Sequence, residues 1–369
     1  VKLALRELWR RPGRFATAMV ILTLIAVLLM FLGSLLDGLI RNSTAAIEAQ
    51  RGDVIVYSES AQASFLRSRI DPDLRATVEA VEGVESAAGI GVVQLGARVP
   101  GNGPRDLAGV ALFGYELAPE GVPDAPAPGE VWADDILRAD GVEEGMELLL
   151  GPARSPVTVI GFVSDTAYNG QGSLWGAPET WRAVLTDNRP DAQLADGVFQ
   201  SLIVTGTGSA GELADAIDAA TDGATDSYSV PDAVLAIPGV EEQQGTFNQI
   251  IGVTIVIALV VIALFFALLT VERTALYGVL KALGATTRTI FAGLVAQAVV
   301  VTLVASVIAG VLTVLLDLVI PAGAIPLLVT PARIVTSIIL LLVAAVAGSA
   351  FSLRRVLRVD PASAIGSGS

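Results

Sequence analysis

The chain has 369 residues, 53% of them hydrophobic, and a formal net charge of -14. That is too apolar for an ordinary soluble enzyme and too polar for a bare helical bundle, so a membrane part and a water-facing part are expected. Cysteine and histidine are both absent, which removes disulfides, thiolate nucleophiles, imidazole bases and the common zinc sites; the acidic balance disfavours nucleic acid as a partner.

Residues 1–14 set Lys2, Arg6, Arg10, Arg11 and Arg14 beside Leu3, Leu5, Leu8 and Trp9, the pattern of an amphipathic helix on the inner membrane surface, with Pro12 and Gly13 as a bend. An uncharged run from Phe15 to Leu36 follows, long enough to cross a bilayer. It outruns the apolar core of a signal peptide, about 7–15 residues, and no A-x-A site follows, so 15–40 read as a retained first span and its stalk.

Residues 41–249 are polar, with acids outnumbering basic residues almost three to one. Strands are predicted at Val54–Tyr57, Ile90–Val99, Leu107–Phe113, Val157–Val163 and Gln200–Thr205. Helices are predicted at Pro72–Val81, capped by Asp71, and at Gly211–Ala220, capped by Ser209. The segment Ser164–Trp175 carries Gly170, Gly172, Tyr168 and Trp175 and reads as a mobile contact loop or a plain connection. Gly206, Gly208 and Gly211 match G-x-G-x-x-G, but no βαβ unit precedes them, so a strand-to-helix turn is the better reading.

Three further apolar runs, 250–271, 290–316 and 334–353, complete four spans. Arg273, Lys281 and Arg288 between the second and third, and Arg354, Arg355 and Arg358 after the fourth, place the elbow 272–289, the tail 354–369 and both termini in the cytoplasm. The connection 317–333, with Pro321, Pro326 and Pro331, then dips into the outer interface. The fold class expected is an α-helical membrane protein with four transmembrane helices (1+3) and an extracytoplasmic α+β domain inserted between helices 1 and 2. No Asp, Glu, Lys or Arg lies within the four runs, which argues against a proton relay or an ion-coupled carrier. Thr23, Thr254, Gln297, Thr302 and Ser306 read as pairing with neighbouring helices, and the spacings Ala305/Ala309 and Ala344/Gly348 as close helix contacts.

In the elbow, Leu276, Val279, Leu280 and Leu283 recur at helical spacing around Lys281, and Gly284 reads as a C-terminal stop. Such a short amphipathic helix suits the groove of a soluble partner. There is no G-x-x-x-x-G-K-[ST], G-x-S-x-G or H-E-x-x-H, so the chain is expected neither to bind ATP by a P-loop nor to be an enzyme. The adjacent acids Asp134/Asp135 and Glu143/Glu144 read as a solvated face.

One span, a large outer domain, three spans and the elbow ERTALYGVLKALGATTRTI together resemble the permease subunits of MacB/FtsX-like ABC transporters. The motif L-K/R-A-L/I-G-A falls on Leu280, Lys281, Ala282, Leu283, Gly284 and Ala285, and D-P-A-x-A-I on Asp360, Pro361, Ala362, Ala364 and Ile365, after Arg358. Gly129–Leu150 and Val157–Val163 resemble that family's extracytoplasmic core. The resemblance implies two copies of this chain with two copies of a separate ABC ATPase, which holds ATP and Mg, all within a bacterial cell membrane and its lipids. It also implies that no cofactor is bound by this chain for catalysis. The ATPase-coupling residues would be Glu272, Arg273, Tyr277, Gly278, Val279, Leu280, Lys281, Ala282, Leu283 and Gly284. Where many relatives carry Glu before the elbow glycine, this chain has Tyr277. The layout is most similar to haem exporter permeases, which implies haem as a transported substrate; without histidine its iron would meet Tyr, Met or a carboxylate, with Glu48, Tyr57 and Tyr168 as candidates. The alternative in the same family is a signalling subunit that moves no substrate and activates an outer partner such as a cell-wall hydrolase.

Overall fold

The computed structural model describes residues 12–103, 105–272, 278–281, 283–320 and 325–357. In chain order the elements are α1 (Pro12–Glu48), β1 (Val54–Ser58), α2 (Pro72–Glu79), β2 (Val84–Arg98), β3 (Leu107–Tyr115), β4 (Glu130–Asp134) and β5 (Glu147–Leu150). There follow β6 (Ser155–Val163), β7 (Gly172–Gly176), α3 (Pro178–Asn188), β8 (Ser201–Gly206), α4 (Ala210–Ala220), β9 (Thr225–Ser229) and α5 (Val230–Ala236). The long helices α6 (Val240–Glu272), α7 (Thr287–Val319) and α8 (Pro331–Leu357) close the chain. These divide into a helical unit and a mixed unit, the latter built on Leu39–Gln244.

Among the described residues, four helices are long and apolar enough to cross a membrane: Ala16–Glu48, Val240–Glu272, Thr287–Val319 and Pro331–Ala350. Each outruns its predicted apolar stretch, α1 by continuing to Glu48 and α6 by starting at Val240. The reason is that hydropathy marks where lipid is tolerated, while helix continues wherever residues with adequate propensity follow. Inside the unit, Leu22 of α1, Ile262 and Phe266 of α6, Leu294, Ala298 and Ala305 of α7 and Ala345 of α8 form one buried cluster. Ala309 is also fully buried, and a side chain added at Gly348 would stand 2.8 Å from the Leu259 carbonyl oxygen, so both small-residue spacings fall where helices meet. The outer faces expose Leu24, Val256, Leu264, Val307 and Val343, as lipid-facing helices do. The hydroxyls of Thr254, Thr302 and Ser306 do not pair across helices as expected. Thr254 Oγ1 donates to its own helix at Ile250, and those of Thr302 and Ser306 are buried with no partner among the described residues.

An ionic contact joins α1 and α8 of this unit. Thr330 caps α8 by accepting the Arg333 N–H at 3.1 Å, with Pro331 in the first turn. Arg333 then grips the Asp37 carboxylate of α1 with two nitrogens, Nε at 2.7 Å from Oδ2 and Nη2 on Oδ1. Gly33, one turn earlier on α1, leaves the room: an added Cβ would lie 2.6 Å from Arg333 Cδ. The Leu328 N–H donates to the Ser34 carbonyl beside it, at 3.0 Å.

In the mixed unit nine strands run in the order β3-β7-β4-β6-β5-β2-β8-β1-β9, and β3 also pairs with β2. That extra pairing closes β2 to β7 into a ring of six strands, which removes their edges, and leaves β2-β8-β1-β9 as a second, open sheet. β2 is long enough, Val84–Arg98, to serve both. Alternation along β1 sends Val54 and Val56 into a layer with Val78 of α2 and Leu213 and Ile217 of α4, and Ile55 and Tyr57 into a layer with Phe65, Phe113 and Ala233. The paired glycines Gly91 and Gly114 form a slot for Trp181 of α3, whose ring atoms would clash with any Cβ on Gly91.

All five predicted strands and both predicted helices are present. Asp71 accepts the Leu74 N–H at 2.8 Å and Ser209 the Glu212 N–H at 3.2 Å, as their caps require. The segment Ser164–Trp175 is neither mobile loop nor plain connection throughout. Its end is β7, parallel to β3 and antiparallel to β4, with Trp175 fully buried. Of the glycines that suggested flexibility, Gly172 lies against Leu137, whereas Gly170 takes a left-handed turn, φ +76°, with open space around it. Nor is Asp134 on a solvated face. It is 2% exposed and accepts from the Ile136 N–H, the Thr166 N–H and the Thr166 hydroxyl at 3.0, 2.8 and 2.5 Å.

The Asp37 and Arg333 side chains are only about a quarter exposed, so removing one strands the other. Arg333→Leu or Asp37→Leu alone is expected to destabilise the chain by roughly 1–3 kcal/mol and the double replacement by less than either. Thermal unfolding of the intact chain in detergent, read as a double-mutant cycle, checks this.

Candidate functional site

The elbow follows α6, whose last residue Glu272 is exposed. Residues 278–281 form a helical turn, and its end is built by backbone geometry. Gly284 has φ +91°, its N–H donates to the Lys281 carbonyl at 3.0 Å, and the Ala285 N–H reaches back to the Leu280 carbonyl at 2.9 Å. These two bonds are a Schellman cap, which needs a left-handed residue that only glycine adopts without strain. The apolar contact that accompanies such a cap is present as well: Leu280 and Ala285 pack on Ile290 of α7. Thr286 then caps α7 through the Thr289 N–H at 3.3 Å.

This geometry splits the predicted apolar stripe. Leu280 turns inward, while Val279 is 50% and Leu283 79% exposed, one helical turn apart and joined by the bond from Leu283 N–H to the Val279 carbonyl. Gly278 is buried and Lys281 half-buried. The elbow thus presents a small apolar knob on a conformationally fixed cap. Exposed apolar side chains held in this way fit a hydrophobic groove. Arg273, Leu276, Tyr277 and Ala282 lie outside the described residues.

The three residues considered for an iron ligand do not form one exposed set. Tyr57 and Tyr168 share the aromatic layer of the mixed unit, both in contact with Phe65, at ring separations of 5.3 and 6.1 Å. Tyr57 is fully buried with an unpartnered hydroxyl, and burial, then the neighbouring Tyr168 and Tyr228, hold it protonated far above the ordinary tyrosine range. Tyr168 is 8% exposed and burial pushes it up to about 12. Both candidate ligands are core, because aromatic side chains beside β-branched neighbours fill interiors before they line surfaces. Glu48 is partly exposed; it accepts the Thr44 hydroxyl at 2.5 Å and lies 3.9 Å from Arg41.

Sequence reasoning missed what ties the end of α1 into the mixed unit. Arg41 Nε donates to Asp165 at 3.1 Å, Ala46 N–H to the Ala167 carbonyl at 3.0 Å, and Asn169 and Gly170 N–H groups to the Ser43 and Asn42 carbonyls at 3.0 Å each. Behind this loop, Thr166 connects Asp134 to Ser173, and Ser173 accepts from Trp175 Nε1 at 2.7 Å. The signal available was the polar cluster SDTAYN itself, too rich in hydrogen-bonding groups for a bare connection. GTGSAG serves as the β8-to-α4 turn, where the Gly206 N–H donates to Asp53 at 2.9 Å.

Comparison with known proteins places part of this chain. Residues 248–361 match the family described as FtsX-like permease C-terminal. A putative hemin transport system permease protein HrtB from Staphylococcus epidermidis is 22% identical over 132 residues, 36% of this chain and 37% of the relative. The HrtB of Staphylococcus haemolyticus is 25% identical over 130 residues, 35% and 37% of the two chains. The match therefore spans little more than a third of these relatives' length. Among solved structures, the periplasmic region of MacB from Actinobacillus actinomycetemcomitans aligns with 52% of this chain and 96% of its own, at 12% identity and a TM-score of 0.36. The extracellular domain of the noncanonic ABC-type transporter YknZ from Gram-positive bacteria aligns with 48% and 99%, at 13% identity and a TM-score of 0.30.

The buried tyrosines give a pH signature. In the unfolded chain tyrosine ionises near 10, whereas folded Tyr168 holds its proton to about 12. Its contribution is thus complete below pH 10 and lost as pH rises towards 12. The urea midpoint of the mixed unit is expected to fall across that window, less steeply in Tyr168→Phe. Tyr57→Phe, which removes an unpartnered hydroxyl, should be neutral or stabilise by about 1 kcal/mol at pH 7.

Proposed function

We propose, from the premise that this chain is a MacB/FtsX-like ABC permease whose residues 248–361 carry the FtsX-like domain, that it is the transmembrane subunit of an ATP-driven exporter. The observation that carries the reading is the elbow: an exposed apolar pair, Val279 and Leu283, on a Schellman-capped turn within the family-matching segment. The knob seats in a separate ABC ATPase, two copies of each chain forming the working unit. Closure of the ATPase pair on ATP displaces the elbow and α6, and α6 and α1, both of which contribute residues to both units, act as stalks. The absence of charge within the apolar runs supports power borrowed from a partner.

The cargo we propose is an amphiphile taken from the membrane, with haem the leading instance on the likeness to the HrtB permeases. Of the three ligand candidates only Glu48 offers a partly exposed donor, so Tyr57 and Tyr168 act by packing. Both termini and the elbow are cytoplasmic in this reading, with the mixed unit outside a bacterial cell membrane.

Lys2 and Lys281 are the only lysines, and both face the cytoplasm in this topology. A membrane-impermeant amine reagent should label the chain in inverted vesicles and leave it unlabelled in right-side-out vesicles; the reverse pattern overturns the topology and the coupling role together. In a co-purified permease–ATPase complex, Leu283→Ala is expected to weaken ATPase association about tenfold, some 1.4 kcal/mol, and to reduce haem-stimulated ATP hydrolysis. Gly284→Ala should do so more mildly, since it strains the cap by about 1 kcal/mol. ATP hydrolysis by the permease alone would contradict the reading.

A further inference from the structure

The mixed unit is joined to two of the long helices, and the two joints differ in construction. At α1 the joint is made backbone to backbone. Ala46 N–H and the Asn42 carbonyl, which are each other's partners in an unbroken α-helix, both find partners in the loop before β7. Ala46 N–H donates to the Ala167 carbonyl and Gly170 N–H to the Asn42 carbonyl, at 3.0 Å each. Asn169 N–H donates to the Ser43 carbonyl at 3.0 Å, and just past the helix Glu120 N–H donates to that of Ala49 at 2.6 Å. Thr44, Ala45, Ala46 and Ile47 are buried, the last two within the layer that holds Phe65 and Phe113. The loop is itself held from behind, since buried Asp134 accepts both the N–H and the hydroxyl of Thr166. The last turns of α1 are thus part of the core.

At α6 the joint is a single turn. α5 ends at Ala236 and α6 starts at Val240, with Ile237, Pro238 and Gly239 between them. The Ile237 carbonyl accepts the Val240 N–H at 3.1 Å; Pro238 takes the second position and Gly239, at φ +91°, the third, which is a type II turn. Val240 is buried, but Glu241, Glu242, Gly245, Thr246, Asn248 and Gln249 after it are all exposed. Gly245 also weakens the helix there, with nothing within 4 Å of an added Cβ. The start of α6 therefore lacks the burial that fixes the end of α1. A short turn leading into an exposed, glycine-bearing helix start is the place where a change of backbone angle meets least resistance.

We propose that α1 and the mixed unit move as one rigid piece, while α6 is hinged to that piece at 237–245. A displacement of α1 then reaches the β-sheet undiminished, whereas one of α6 is taken up at the hinge. The inference rests on the stalk reading only for its use in transport; its test needs neither ATPase nor cargo, so the two fail separately. The chain has no cysteine, so spin labels attach only where one is introduced. In the full chain in lipid nanodiscs, diluted with unlabelled chain, one label is placed by Asp215→Cys on the exposed face of α4. The other is placed by Leu39→Cys on α1 or by Asn248→Cys on α6. By double electron–electron resonance the α1 pair should give a narrow distance distribution and the α6 pair one at least about twice as wide. Thr166→Val, which removes the hydroxyl bonded to Asp134, should broaden the α1 pair and leave the α6 pair unchanged. Arg41→Met, which removes only the partly exposed contact with Asp165, is a second variant that spares the core and should broaden the α1 pair less. Equal widths in the parent chain, a narrower α6 pair, an α1 pair that neither variant broadens, or equal broadening of both pairs would each overturn the proposal.

Discussion

Hydrocarbon cannot hydrogen-bond to a polypeptide, and that constraint governs the helical unit. Each apolar run must close its own backbone bonds, so four helices form, and with no charge inside the runs they are held by shape. Alanine and glycine at Ala298, Ala305, Ala309 and Gly348 let the helices meet closely. The exception stands where the constraint relaxes, at the ends of two runs. There Asp37 and Arg333 supply a directed contact between α1 and α8 that packing alone would leave free to slide. Gly33 makes space for it, and Thr330 and Pro331 set the start of α8 so that Arg333 arrives at that point.

The mixed unit meets a different constraint, that every strand edge must be paired, guarded or used. The ring of six strands abolishes edges on one side, and β2 carries the chain into the open sheet on the other. At the junction Glu116 stands in for a missing strand at Gly89, its carboxylate taking the Gly89 N–H. The polar network from Asp134 through Thr166 and Ser173 to Trp175 is fully satisfied and buried, which fixes the loop that receives the end of α1. The elbow shows the same economy on a smaller scale, since one glycine, Gly284, ends the turn, orients Ala285 onto Ile290 and leaves Val279 and Leu283 facing outward.

Four apolar helices, the inserted α+β domain, the caps at Asp71 and Ser209 and the stop at Gly284 are legible in residue order alone, because each is written in local period, charge or backbone freedom. Meetings between residues far apart in the chain set the rest: the pairing of Asp37 with Arg333, the burial of Asp134, and the conversion of a glycine-bearing stretch into strand β7. Tyr57 and Tyr168 show the reason most directly. A tyrosine presents the same local pattern whether its hydroxyl meets solvent or a wall of Phe65 and Phe113, and only the packing of β1, β3 and the loop before β7 chooses between them.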